Sequence, residues 1–274
     1  MLGKNDAAYR QLYENYGKEG LETFNRRLGA DGVRKVYQAG GQSGLDTVAD
    51  VIELEKQGKI KNFDDWASFF SEGNRTGTNV QDLLTELQEA RRVSGNVKDG
   101  EVVNIGGDAR ATTRQSGEQE KSFDITVENS QTGEVVRNIE VKSVEKSVSR
   151  AEDLTNGITH AIEKRKSATG GKVEATIQID LASETKRGKK RRVIDESGNY
   201  SDIEKERNGN ENSYNTGNIF QDVKEKLPTI ETGNQHKIGD NPNVSLIDRV
   251  SITRKDGSLL ATYVKENGKW KLKM

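Results

Sequence analysis

The chain has 274 residues, a length suited to two domains, and its 43 Lys and Arg against 44 Asp and Glu leave a formal net charge of −1. No cysteine and only two histidines, His160 and His236, exclude disulfides, thiolate nucleophiles and cysteine-based zinc sites, so a catalytic metal should be held by oxygen. No apolar run is long enough to span a membrane, the N-terminus lacks the apolar stretch of a signal peptide, and a near-neutral chain has no global basic field, so a nucleic-acid function has to rest on local features.

Nine of the fifteen aromatic residues precede residue 76. Apolar positions there recur at three and four, as in Tyr9/Leu12/Tyr13/Tyr16, Leu21/Phe24/Leu28 and Leu45/Val48/Ile52, with glycines at 29, 40 and 44 marking helix ends. This predicts a small helical domain over 1–76, with a linker near 71–78 and no internal repeat. The second domain, 79–274, opens on a helix from about Val80 to Val93 carrying Leu83, Leu84, Leu87 and Ala90 on one side. The period then changes to two, in Glu101–Ile105, in Phe123–Val127 and from about Glu134 to Val144, which predicts a three-strand meander. Ser149 and Glu152 form a capping box ahead of a helix with the stripe Leu154, Ile158, Ala161 and Ile162, and Lys164-Arg165-Lys166 suits its C-terminal end. A half-buried strand follows in Val173, Ala175, Ile177, Ile179 and Leu181. Residues 183–217 hold five apolar or aromatic residues in thirty-five, which predicts a polar insertion that is mobile or ordered by a ligand. A short helix near Ile219–Leu227 and a C-terminal β-meander, with turns at Asp256-Gly257 and Asn267-Gly268, complete the chain. The fold class is α+β.

On a strand, Glu140 and Lys142 share a face roughly 6.6 Å apart, with Ile139 and Val141 on the other. Asp124, set between Phe123 and Ile125, lies on the preceding strand and can oppose Glu140 if the two strands pair, the alternative being that all three residues form a solvated polar face of the sheet. Two carboxylates suit Mg²⁺, with Mn²⁺ or another divalent cation as a substitute, and such an ion activates water and stabilises a phosphate oxyanion. Lys142 would hold or deprotonate that water and offset transition-state charge. The reaction class is phosphodiester hydrolysis, with Asp124, Glu140 and Lys142 as its catalytic residues. His160 lies opposite the Leu154/Ile158/Ile162 stripe and reads as a surface position or a phosphate contact. Lys186, Arg187, Lys189, Lys190, Arg191 and Arg192 place six cations in seven residues, able to clamp a nucleic-acid backbone or to line a solvated loop. Gly40-Gly41-Gln42-Ser43-Gly44 lacks the Gly-Lys-Ser/Thr of a phosphate-binding loop.

Asp124 followed by Glu140-Val141-Lys142, within a helix, three strands, a helix and a strand, resembles the PD-(D/E)XK nuclease superfamily over roughly residues 79–182. Phe123 replaces the proline of the motif. The resemblance implies a restriction-endonuclease-like αβββαβ core, a metal held by Asp124, Glu140 and the Val141 carbonyl, and a further acid on the first helix. Glu86, about 90° from the centre of that helix's apolar stripe, suits the last role better than Glu89 at about 150°. A helical segment ahead of such a core also resembles the C-terminal toxin region of contact-dependent growth inhibition and other polymorphic toxins. That implies a first domain mediating uptake, delivery from a secreted or cell-surface parent protein into the target-cell cytoplasm, DNA or tRNA as substrate, and a cognate immunity protein. The alternatives are a housekeeping or restriction-type DNA nuclease and a non-catalytic nucleic-acid- or protein-binding module on a nuclease-like fold.

Overall fold

A computed structural model describes residues 7–71, 78–105, 123–144, 147–164, 170–187, 190–205, 211–235 and 246–274. Ala7–Lys56 form α1, helical except where Gly17, Gly29 and Gly41 take φ of +65°, +68° and +56°, values that only glycine reaches freely. These breaks fall at twelve-residue intervals. Each is followed by a second glycine, Gly20, Gly32 or Gly44, and then by Leu21, Val33 or Leu45. The segment is therefore an internal repeat, where none is expected from the sequence. The exchange of Phe24 for Val36 and Val48 at one of its buried positions disguises it. The helix ends are correspondingly at 17, 29 and 41.

Compactness divides the chain at Asn138/Ile139, and each unit is described by itself. In the first unit, β1 (Ile60–Lys61) pairs in parallel with β2 (Glu101–Asn104), which pairs antiparallel with β3 (Ile125–Asn129). Helices α2 (Phe63–Ser71) and α3 (Thr78–Ser94) pack on α1, and α3 also packs on β2. The helical segment thus donates a strand and a helical face to the elements that follow it. For that reason a division near residue 77, expected from composition, is not where compactness separates the chain. Packing on two sides buries α3 beyond its leucine stripe. Glu89 is 4% exposed with its carboxylate gripped by Arg92 at 2.5 and 2.7 Å, whereas Glu86 is half-buried.

Strand β4 (Val135–Ser143) begins in the first unit and ends in the second, where the strand order continues with β5 (Lys172–Ile179), β10 (Arg249–Arg254), β11 (Leu259–Glu266) and β12 (Lys269–Lys273). β10 runs parallel to β5 and antiparallel to β11, which pairs antiparallel with β12, giving the expected C-terminal meander. Between β4 and β5 stands α4 (Glu152–Lys164), so the expected order of helix, three strands, helix and strand is present. Leu154, Ile158, Ala161 and Ile162 of α4 join Ala175, Ile177, Val250, Ile252 and Tyr263 in one core with α5 (Ile219–Asn234). The cap of α4 differs from the expected box. Asp153, one residue after Glu152, accepts from the Ser149 and Arg150 amides at 3.0 Å, which frees Glu152 to pair with Lys226 at 2.9 Å. α5 continues past Leu227 through Pro228 because its last turns still find partners: Glu231 accepts from Lys265 at 2.9 Å and from Trp270 Nε1 at 3.0 Å.

The polar insertion is folded. β6 (Glu184–Arg187), β7 (Lys190–Ile194), β8 (Asn199–Lys205) and β9 (Glu211–Asn218) form a four-stranded antiparallel sheet. Apolar scarcity misleads here because the sheet is held by backbone ladders and cross-strand charge pairs, with Ile194 and Tyr200 its links to the core. Among the described residues no helix is long and apolar enough to cross a membrane.

Candidate active site

Alternation along β4 places Glu140, fully buried, and Lys142, 40% exposed at its side chain, together, with Lys142 Nζ 3.1 Å from Glu140 Oε1. Two residues of α4, one turn apart and so on one flank, complete the cluster. His160 Nδ1 lies 2.8 Å from Glu140 Oε1, and Lys164 Nζ donates to Oε2. All four residues belong to the second unit. His160, expected on the outward side of α4, is 38% exposed at its side chain yet reaches the carboxylate. The reason is that α4 turns its apolar stripe to the core and this flank to β4. Lys164, only 9% exposed at its side chain, is a member that sequence reading assigned to the helix dipole. Its four-residue spacing from His160 is the signal that could have found it.

The close approach of α4 to β4 and β5 requires Gly157. A Cβ there would stand 2.5 Å from Ile177 Cδ1 and 3.4 Å from Lys142 Cβ. Gly157→Ala is therefore expected to push the buried Ile177 methyl aside, a strain of about 1–3 kcal/mol that a gain in helix propensity of about 1 kcal/mol partly offsets. It should also separate His160 from Glu140. Denaturant unfolding together with the His160 imidazole signals in NMR checks both, and an unchanged unfolding midpoint would show that the contact yields without strain.

Burial works against the charge of Glu140, but the His160 hydrogen bond and the charges of Lys164 and Lys142 outweigh it and hold the carboxyl down to about 2. Glu140 is thus an anion walled in by three nitrogens. It can fix the tautomer and ring orientation of His160, in the way a carboxylate orients a catalytic imidazole. Lys142 and His160 are the members exposed enough to meet a ligand.

Of the other sequence-derived candidates, Asp124 is half-buried one residue ahead of β3 and Glu86 lies on α3, both in the first unit. Val141 is buried in β4 between Glu140 and Lys142. The basic run lies on β6 and β7, where most of its side chains have partners. Lys186 pairs with Glu184 at 3.1 Å, Lys190 with Glu204 at 3.9 Å and Arg191 with Glu211 at 2.5 Å. Arg192 grips Asp202 at 2.6 and 2.8 Å. Arg187 is in β6, while Lys189 and His236 lie outside the described residues. A second buried carboxylate, Glu128 on β3, accepts from Lys61 at 2.5 Å, Asn104 at 2.7 Å and Thr126 at 2.8 Å. Burial raises its pKa, but these partners prevail and lower it. With its oxygens so occupied, Glu128 holds β1, β2 and β3 together.

Among the described residues no group of three or more histidine or acidic side chains is placed to hold a metal ion. The Glu140 cluster supplies nitrogen cations and one carboxylate, so by itself it does not fit a divalent cation. No protein-family model matches the chain, and no curated protein or solved structure matches it either.

Proposed function

We propose that this protein is a nuclease, hydrolysing phosphodiester bonds at a site centred on Glu140, Lys142 and His160. The observation that carries the reading is the Glu140 cluster itself: a carboxylate with no exposed surface, locked between Lys142 of β4 and His160 and Lys164 of α4. In this role Glu140 and Lys164 are positioning residues. Lys142 would offset charge on the phosphoryl oxygens as the transition state forms. His160, its Nδ1 committed to Glu140, would use Nε2 to take or give a proton. The order of α3, β2, β3, β4, α4 and β5 along the chain supports the reading, since the PD-(D/E)XK resemblance requires that order.

The same resemblance implies Mg²⁺ or Mn²⁺, which when bound would supply charge neutralisation and water activation. It also implies interbacterial toxicity, delivery into a target-cell cytoplasm and a tightly bound immunity protein. A second reading, a nucleic-acid-binding module without cleavage, draws on the occupation of both Glu140 oxygens.

The deciding experiment incubates the whole purified chain with plasmid DNA and with total tRNA, in Mg²⁺, Mn²⁺ or EDTA. Cleavage lost in EDTA supports the metal-dependent form, and cleavage kept in EDTA assigns the chemistry to Lys142 and His160 alone. Binding without cleavage under every condition overturns the nuclease reading in favour of the module. Growth arrest on induced expression of the chain in bacteria tests the toxin component.

A further inference from the structure

A groove of about 530 Å³ lies wholly within the second unit, between the β6–β9 sheet and the residues leading into α4. Its lining includes Arg150, Lys186, Lys190, Arg191 and Arg192 against a single acid, Asp202. That acid is already taken, by the Arg192 guanidinium and by Asn215 at 2.9 Å. The other cations pair with acids beside the groove, Lys186 and Arg191 with Glu184, Lys190 with Glu204 and Arg191 also with Glu211, so a ligand's phosphates would take the place of those partners. Arg150 makes no ion pair among the described residues. Lys186 and Lys190 are 75% and 55% exposed at their side chains, where water weakens an ion pair, so a phosphate can replace their partners at little cost.

One aromatic residue stands in this basic setting. Tyr214 on β9 lines the groove, is 52% exposed, and has Lys190 Nζ 5.1 Å from its ring centroid. An exposed ring flanked by cations offers a stacking platform to a base whose neighbouring charges hold the backbone. A base in a duplex has both faces covered by its neighbours, whereas an unpaired base has a face to give.

We propose that this groove binds a single-stranded stretch of nucleic acid, with the cations along its phosphates and Tyr214 stacked on an unpaired base. The proposal rests on the nuclease reading in one respect only: the strand held there is the substrate of the Glu140 site. The two are joined through β7. Arg192 donates to the Ser149 carbonyl at 3.1 Å and lies 3.8 Å from the centroid of Tyr200, which ties β7 and β8 to the start of α4. His160 is eight residues further along that helix than Glu152, about 12 Å on its axis. A strand laid along α4 would thus bring a phosphodiester close to His160 and Lys142 while a base upstream or downstream rests on Tyr214.

The test is fluorescence anisotropy of the whole chain in EDTA with short labelled single-stranded RNA, single-stranded DNA and duplex DNA, and with polyglutamate as competitor. Single strands of either sugar should bind at least about tenfold more tightly than the duplex. Tyr214→Ala should weaken that binding about tenfold while Tyr214→Phe retains it. Lys186→Ala combined with Lys190→Ala should flatten its salt dependence. Three results overturn the proposal: equal affinity for duplex, no effect of Tyr214→Ala, or competition by polyglutamate at nucleic-acid strength, which would assign the groove to an acidic protein. Binding is read without cleavage, so failure of the nuclease reading and failure of this one are seen separately.

Discussion

Glu140→Ala is expected to destabilise the protein by about 3–5 kcal/mol, because it removes the buried carboxylate shared by Lys142, His160 and Lys164, the last only 9% exposed at its side chain. Glu140→Gln should cost less, since one oxygen still accepts a hydrogen bond. The loss should be specific in pH. The folded carboxyl is held at about 2, below the ordinary glutamate value of about 4.3, so its stabilisation is fully present above the unfolded value and disappears as pH falls through the folded one. Unfolding in guanidinium at pH 7, 4 and 2.5 should show the gap between wild type and Glu140→Ala shrinking across that window. A gap absent at pH 7 would mean that the cluster contributes nothing to folding, and a gap that stays constant to pH 2.5 would mean that its contribution does not come from the carboxylate charge. One practical result is that lost activity in Glu140→Ala does not by itself identify a catalytic carboxylate.

Lys142→Ala separates chemistry from stability. Its side chain is 40% exposed and its partner keeps two other nitrogens, so the fold should lose no more than about 1 kcal/mol. If Lys142 neutralises phosphoryl charge, cleavage should fall by about a hundredfold or more. Single-turnover rates on tRNA and plasmid, set beside the unfolding midpoint, give both numbers. Wild-type cleavage by a folded Lys142→Ala protein would remove the site from β4.

The parts of this arrangement legible in the sequence are those written in periodicity. Alternation put Glu140 and Lys142 on one face and placed β5 from Val173, though it ran the strand on to Leu181, which lies beyond the end of β5 at Ile179 and only bridges to Val148. The stripe of α4 named the residues of the shared core, and Gly257 and Gly268 marked the last two hairpins. What escaped depends on partners distant in sequence. Lys164 sits in a Lys-Arg-Lys run that looks like a solvated helix end, and its carboxylate is 24 residues away on another strand. The β6–β9 sheet has almost no apolar signature, because pairs such as Arg192–Asp202 and Arg191–Glu211 do the work that valines do elsewhere. Glu89 was placed outward by a wheel that assumes one buried side, whereas α3 has two.

The glycine breaks of α1 bear on how that segment behaves once it loses its neighbours. The two middle stretches, between Gly17 and Gly29 and between Gly29 and Gly41, are eleven residues each, about 16 Å of helix, and an isolated helix below roughly 12–15 residues is marginal in water. Each turn of the repeat persists because the next one packs against it, as in nearest-neighbour cooperativity. Opened at one end, such a segment is expected to come apart link by link, as an articulated string and not as one stiff rod.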